Sequence, residues 1–108
     1  MNQWMYICRL NQIVPHTGVC ALVKGKQIAI FRPRDNNVIF AIDNMDPFAK
    51  ANVLSRGLIS EHDDQLWVVS PLKKQRFNLS TGQCLDNINV SLTTYKVRVN
   101  KDAVEIMA

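Results

Sequence analysis

The sequence lacks any apolar run approaching the roughly 20 residues that a helix needs to cross a bilayer. It also lacks, after Met1, the basic segment and apolar core of a secretory signal peptide. We therefore expect no membrane association, and the predicted location is the cytoplasm. The hydrophobic content of 47% favours a folded core over a disordered chain. A length of 108 residues is that of one domain, so residues 1–108 are predicted to form a single domain.

Cysteine is scarce, odd in number and widely spaced, since the sequence contains only Cys8, Cys20 and Cys84. A disulfide framework shows an even and denser set, and a zinc site shows paired Cys or His residues at short spacing. We therefore expect three reduced thiols, most of them buried. Cys84 lies just past a glycine turn and is expected to be the most accessible of the three.

Signatures of an independent active site are also absent. Ser70 has no Gly-x-Ser-x-Gly context and no suitably placed base, so it is not predicted to be a nucleophile. His16 and His62 have no partners at metal-ligand spacing. No glycine-rich phosphate-binding loop occurs. We therefore expect no catalytic residue, no cofactor-binding residue and no metal ligand in this chain.

Short apolar or alternating runs, separated by frequent turn residues, make up most of the sequence. The predicted strands are residues 3–9, 19–23, 27–31, 38–42, 58–59, 66–69, 76–79, 93–99 and 103–107. Residues 24–26 are predicted to be the turn of a hairpin, and residues 43–56 a single long loop. No helical period persists over three turns, so the pattern predicts an all-β sandwich or barrel.

Two segments are similar to the cluster-binding segments of Rieske ferredoxins. Residues 70–82 contain Ser-Pro-Leu-Lys, then Arg-Phe-Asn-Leu and Thr-Gly, and resemble the family's Cys-Pro-Leu-His segment. Residues 41–57 contain Asp-Pro-Phe, then Leu-Ser-Arg-Gly, and resemble its Cys-Pro-His segment. A Rieske centre needs two Cys on one iron and two His on the other. The corresponding positions here are Asp46, Phe48, Ser70 and Lys73. The resemblance therefore implies the frame of the domain without its metal site.

The chain as a whole resembles the small subunits of bacterial NADH-dependent nitrite reductases. Matching segments occur in the same order at residues 4–8, 17–22, 27–33, 46–48, 53–59 and 70–77. The resemblance implies an all-β, Rieske-like [2Fe-2S] ferredoxin fold with a small loop subdomain and no cofactor. It also implies a partner, the large catalytic subunit, which would carry FAD, an iron–sulfur cluster and sirohaem. The complex would be an oxidoreductase that reduces nitrite to ammonium in nitrate assimilation.

A basic surface is expected where the two loop segments meet. The net charge is +4 at pH 7. The candidate partner-binding residues are Lys50, Arg56, Lys73, Lys74 and Arg76. They converge only if the two segments meet as in a Rieske-like domain, and they would then form a docking face for an acidic partner. The simpler interpretation of these residues is an ordinary solvated loop.

Phe48 is the one apolar residue among the four replaced positions. An aromatic side chain is costly to expose on a polar loop, so we expect Phe48 to be substantially buried. It would then fill the space that a cluster occupies in the ferredoxins and hold the two loops together.

Three alternatives to the small-subunit interpretation come from other functional classes. An electron-carrying Rieske ferredoxin is opposed by the four replaced ligand positions. A small basic β-domain that binds nucleic acid would show aromatic residues interleaved with Lys and Arg, and residues 95–98 are only a faint instance. A stand-alone Rieske-like interaction module is the third.

Overall fold

The computed structural model describes residues 2–108, and within them the chain forms twelve short β-strands and two 3-10 helices. The strands are β1 (Trp4–Arg9), β2 (Thr17–Val23), β3 (Lys26–Arg32), β4 (Phe40–Asp43), β5 (Met45–Asp46), β6 (Ala51–Asn52), β7 (Leu58–His62), β8 (Gln65–Val69), β9 (Arg76–Asn78), β10 (Thr94–Tyr95), β11 (Val97–Asn100) and β12 (Ala103–Met107). The 3-10 helices span Leu10–Gln12 and Leu54–Arg56. The all-β prediction is confirmed. Neither of these helices has the length or the apolar character to cross a membrane.

A four-stranded antiparallel sheet, ordered β10-β4-β3-β2, lies between two apolar clusters. The side chains of β3 alternate between them, with Ile28 and Ile30 in the first cluster and Ala29 and Phe31 in the second. Because both faces of β3 are buried, its sequence is a continuous apolar run rather than an alternation of apolar and polar residues.

Each cluster is closed on its outer side by a three-stranded sheet. Val104 and Ile106 pack into the first cluster from β12, the central strand of the sheet ordered β1-β12-β11. Val68 and Phe77 pack into the second cluster from the sheet ordered β7-β8-β9. The result is three layers of strands with an apolar core in each of the two spaces between them.

The predicted hairpin between β2 and β3 is confirmed. Its last strand pair is Val23 with Lys26. The two residues between them, Lys24 and Gly25, have φ values of +50° and +79°. Positive φ at both central residues is the geometry of a type I′ turn, whose twist matches that of the flanking strands.

The prediction that residues 43–56 form a single long loop is wrong. This segment contains the two-stranded sheet β5-β6, with Met45 opposite Asn52 and Asp46 opposite Ala51. The second 3-10 helix follows it. Strands of two residues are too short to show a period in the sequence, so the pattern could not reveal them.

The two ends of the described chain lie side by side. The Gln3 amide donates to the Ala108 carbonyl at 3.0 Å, and the Ala108 amide donates back to the Gln3 carbonyl at 3.1 Å. The pairing continues into β1 and β12, where Trp4 lies opposite Met107. The first and last strands are therefore direct neighbours.

The three cysteines are free thiols, as predicted, but their predicted accessibility is wrong. Cys84 is only 2% exposed, because it lies in the second cluster and pairs with Phe77 in an isolated β-bridge. The exposed thiol is that of Cys20, on the edge strand β2. Cys8 is partly buried, and this burial raises the pKa of its thiol.

Candidate functional site

The two segments that resemble cluster-binding loops end in the same kind of backbone turn. In the first loop, the Lys50 amide donates to the Asp46 carbonyl at 2.7 Å. In the second, the Lys74 amide donates to the Ser70 carbonyl at 3.1 Å. Both lysines adopt the left-handed backbone conformation, with φ values of +54° and +65°. Each loop is therefore a five-residue turn that begins at a replaced ligand position and closes at a lysine.

The first residues of the two turns are bonded to each other. Asp46 and Ser70 are both fully buried, and the Ser70 hydroxyl donates to Oδ2 of Asp46. The other carboxylate oxygen, Oδ1, accepts the amides of Phe48 at 2.8 Å and Ala49 at 3.2 Å. The carboxylate thus organises its own loop and also binds it to the second loop. The sequence pattern did not reveal the bond to Ser70. The Asp before Pro could have indicated only the local turn, because an Asp side chain readily accepts backbone amides a few residues ahead.

Asn78 builds a third turn of the same design, at the end of β9. Its Oδ1 accepts the amides of Ser80 at 2.8 Å and Thr81 at 3.0 Å. The Gly82 amide donates to the Asn78 carbonyl at 2.8 Å, and Gly82 has a φ of +78°. The glycine turn predicted from the sequence is confirmed here. Asp46 and Asn78 thus form the same local turn through Oδ1. The Asp46 turn differs because its Oδ2 also accepts the bond from Ser70.

Phe48 packs as the sequence predicts, although it is not fully enclosed. Its ring is partly buried against the second cluster, with its centroid 6.2 Å from that of the fully buried Phe77. The two rings are tilted by 39°, and their separation lies within the range of about 4.5–7 Å that aromatic pairs favour. The fully buried residues at the four replaced positions are Asp46 and Ser70. The polar bond therefore joins the two loops, and the aromatic ring packs the first loop against the second cluster.

The side chains at the four positions do not fit a Rieske cluster. Asp46 and Ser70 are bonded to each other, Phe48 is a hydrocarbon, and Lys73 is an exposed cation. A Rieske centre needs two thiolates and two imidazoles. Within residues 2–108, no three His, Cys, Asp or Glu side chains are placed together as a metal site. No chemistry of a cluster is therefore assigned to these loops.

The predicted basic residues lie around one end of the β7-β8-β9 sheet. Arg56 ends the second 3-10 helix just before β7, and Lys73 and Lys74 lie between β8 and β9. Lys50 lies in the first loop, which the bond from Ser70 to Asp46 joins to the second. All four are exposed. Among the ion pairs of residues 2–108, none includes any of these four side chains.

Arg76, the fifth predicted residue, differs from the other four because its charge is balanced within the chain. Its guanidinium donates to Oδ1 of Asp86 at 2.7 Å, and its backbone amide donates to Oδ2 at 2.8 Å. These bonds lower the pKa of Asp86 and raise that of Arg76. Arg76 therefore ties the segment around Asp86 to β9 and is less available to attract a partner.

Comparison with known proteins gives a consistent set of relatives. The family model described as "Rieske-like [2Fe-2S] domain" matches residues 3–107. The "Nitrite reductase (NADH) small subunit" of Salmonella typhimurium is 54% identical over 106 residues, covering 98% of each chain. The solution structure of the Escherichia coli protein NirD superimposes with a TM-score of 0.93 at 51% identity, covering 100% of this chain and 98% of that one. The "Nitrite reductase [NAD(P)H] large subunit" of Klebsiella oxytoca contains a segment that is 38% identical to 94% of this chain and makes up 10% of that protein.

Proposed function

Since the chain belongs to the Rieske-like [2Fe-2S] domain family and, within it, to the NADH nitrite reductase small subunits, we propose that it supports a large catalytic subunit by binding to it. The complex works in the cytoplasm and reduces nitrite to ammonium in nitrate assimilation. FAD, an iron–sulfur cluster and sirohaem belong to the large subunit. Residues 1–108 act as one Rieske-like domain with no cofactor and no active site of its own.

The observation that carries this proposal is the homologous segment inside the Klebsiella oxytoca large subunit. There, a segment similar to 94% of this chain is part of the same polypeptide as the rest of that large subunit. A covalent connection keeps two modules at a high effective concentration. A separate chain that does the same work must reach the large subunit by its own affinity. This supports a direct and specific contact between the two subunits.

The chemistry of the loops supports a structural role rather than electron transfer. At the cluster positions, Asp46 and Ser70 are bonded to each other, Phe48 packs against the second cluster and Lys73 is exposed, and none is a thiolate or an imidazole. In the part of the chain that the structure describes, Lys50, Arg56, Lys73 and Lys74 are exposed and form no ion pair. We propose that they steer the chain to an acidic surface of the large subunit. Arg76 acts indirectly, by holding the segment around Asp86.

Co-purification with the large subunit tests the proposal. The tagged chain, expressed at native level, should recover a large flavin- and sirohaem-bearing protein from the cytoplasmic fraction. Removing the chain should shorten the lifetime of NADH-dependent nitrite reduction by that protein, and adding the purified chain back should restore it. Failure to recover the large subunit, with activity and heat stability unchanged by the chain, would overturn the proposal.

The contacts described for Tyr95 and Arg98 do not favour the nucleic-acid alternative. Tyr95 donates its hydroxyl to Asp43 at 2.6 Å. Arg98 is paired with Glu105 at 2.7 Å and stacks on the Trp4 ring at 4.1 Å from its centroid. Tyr95 and Arg98, the aromatic residue and one of the two basic residues of that pattern, are thus engaged within the chain. The comparisons support the small-subunit interpretation instead.

A further inference from the structure

A fourth segment, which the sequence pattern did not reveal, lies beside β9 at one end of the β7-β8-β9 sheet. Leu58 is paired with Val69, and Val69 with Arg76. The row continues to Leu85, whose amide donates to the Arg76 carbonyl at 2.8 Å. Four chain segments therefore end side by side here. The loop after β8 and the segment after Leu85 both leave the sheet at this end. The two connections therefore lie near each other.

The segment that includes Leu85 belongs to a small hairpin with a braced tip. Gln83 and Ser91 are paired at its base. The side-chain amide of Gln83 donates to the carbonyls of both Ile88 and Val90 at 3.0 Å. The bonds from Arg76 to Asp86 hold the near side of the same tip. The tip is thus fixed from two directions, although it belongs to no regular strand.

This end of the sheet presents three large apolar side chains to solvent. Leu58 is 76% exposed, Leu72 is 57% exposed and Ile88 is 84% exposed. They come from the start of β7, the loop after β8 and the tip of the small hairpin. At a spacing of about 4.8 Å between neighbouring strands, the four segments span about 15 Å. This width is comparable to that of the central part of a standard protein interface, whose whole area is roughly 800 Å² on each partner.

The surroundings of these side chains match the anatomy of a binding surface. Interfaces combine an apolar centre, where most of the binding energy is concentrated, with a polar rim. The basic residues nearest to Leu58 and Leu72 along the chain are Arg56, Lys73 and Lys74. Leu72 directly precedes two of them, and its turn is closed by the Lys74 amide. Apolar groups held on braced turns lose little conformational freedom on binding.

We propose that Leu58, Leu72 and Ile88 form the apolar centre of the surface that binds the nitrite reductase large subunit, with the basic residues as its rim. This inference rests on the proposed function and specifies its interface. The complementary surface on the large subunit is an apolar patch edged by acidic side chains. The occupant is the large subunit because a homologous segment is part of such a subunit in Klebsiella oxytoca and because the rim carries unpaired positive charge.

The test measures dissociation of the full chain from the immobilised, cofactor-loaded large subunit. Leu58→Ser, Leu72→Ser and Ile88→Ser are compared singly and together. Most interface substitutions act on the dissociation rate, and loss of a central anchor accelerates it about tenfold or more. The triple variant should dissociate about 100-fold faster or more than the unaltered chain. Equal thermal midpoints would show that the variants fold, since exposed side chains add little to stability.

Tyr6→Ser is the matched control. Tyr6 is also an exposed apolar side chain, 60% exposed, but it lies on β1 in the sheet that closes the opposite cluster. Its dissociation rate should stay within about twofold of the unaltered chain. If the unaltered chain binds and all three substitutions leave dissociation unchanged, or Tyr6→Ser accelerates it equally, this inference is overturned while the proposed function stands. If the unaltered chain does not bind, the proposed function fails first.

Discussion

The Ser70 hydroxyl donates a hydrogen bond to the Asp46 carboxylate, and both side chains are fully buried although 24 positions separate them in the sequence. In the resemblance to Rieske ferredoxins, these are the positions of the two Cys ligands, which one iron would join. A side-chain hydrogen bond therefore links the same two loops that a metal ion links in the ferredoxins. The loop arrangement is kept by a contact that needs no cofactor.

Ser70→Ala should destabilise the fold by about 1–3 kcal/mol, because it leaves a buried carboxylate oxygen of Asp46 without its donor. The free energy of unfolding in urea measures this loss. Ser80→Ala is the control, since Ser80 is exposed on the Asn78 turn, and it should change stability by no more than about 0.5 kcal/mol. Equal effects of the two substitutions would show that the bond between the loops contributes nothing.

Phe48→Ala should cost about 1–2 kcal/mol, less than a full core truncation, because the ring is only partly buried. Phe77→Ala, in contrast, should cost about 3–5 kcal/mol because Phe77 is fully buried. Urea unfolding of both variants measures the difference. A loss below about 0.5 kcal/mol for Phe48→Ala would mean that the ring behaves as a surface group.

The purified chain should bind no [2Fe-2S] cluster, even after incubation with iron and sulfide under reducing conditions. The donor set at the four loop positions contains no thiolate and no imidazole. Iron analysis and the visible spectrum measure the outcome. Stoichiometric iron with the absorption of such a cluster would contradict this prediction and revive the interpretation as an electron carrier.

Reversing the charges of Lys73 and Lys74 to Glu should slow association with the large subunit and flatten its dependence on salt. Charges at the rim of an interface act mainly on the association rate, and salt screens them. Association kinetics at two ionic strengths measure both effects. The fold should be unaffected, because solvated charges contribute little to stability.

Lys96→Glu with Lys101→Glu is a charge-matched control for that experiment. Both control residues are exposed and lie beside β11, away from the loops. Lys101 also matches Lys74 in having a positive φ, at +49°. The control should associate at nearly the unaltered rate. Equal slowing by both double variants would indicate that overall net charge, rather than this surface, sets the rate.

Acid should loosen the small hairpin around Asp86. The side-chain hydrogen bond from Arg76 lowers the pKa of Asp86 below its ordinary value of 3.8. A lowered pKa in the folded state means that the contribution to stability is present above about pH 4 and is lost as the pH falls further. A carboxyl titration followed by NMR should show a midpoint below 3.8, and Arg76→Gln should raise it. A midpoint unchanged by Arg76→Gln would contradict the assignment of Arg76 as the cause.

Much of the fold follows from short-range patterns in the sequence. Residues 93–99 alternate, and Tyr95, Val97 and Val99 all pack against the first cluster, as the alternation predicts. The pattern could not show that the segment changes sheets, with β10 pairing to β4 and β11 to β12. A change of sheet keeps the side-chain period of two, so it leaves no trace in the sequence.

The parts of the site that the sequence did not reveal depend on contacts between distant residues. The two loops could be located by family resemblance, but their link through Asp46 and Ser70 arises only when the loops meet. Likewise, the pairing of Arg76 with Asp86 spans ten positions and removes one charge from the predicted basic surface. Ile88 lies in a segment without a period, so neither its exposure nor its braced position could be inferred from the pattern.

The pairing of Gln3 with Ala108 has a consequence for how this fold can be connected to other chains. Neighbouring ends allow a domain to be circularly permuted or inserted into a host protein without separating its strands. A permuted chain, joined between residues 108 and 3 and opened at the exposed Lys24–Gly25 turn, should retain every strand pair described above. The same geometry lets a host polypeptide enter and leave such a domain at one place.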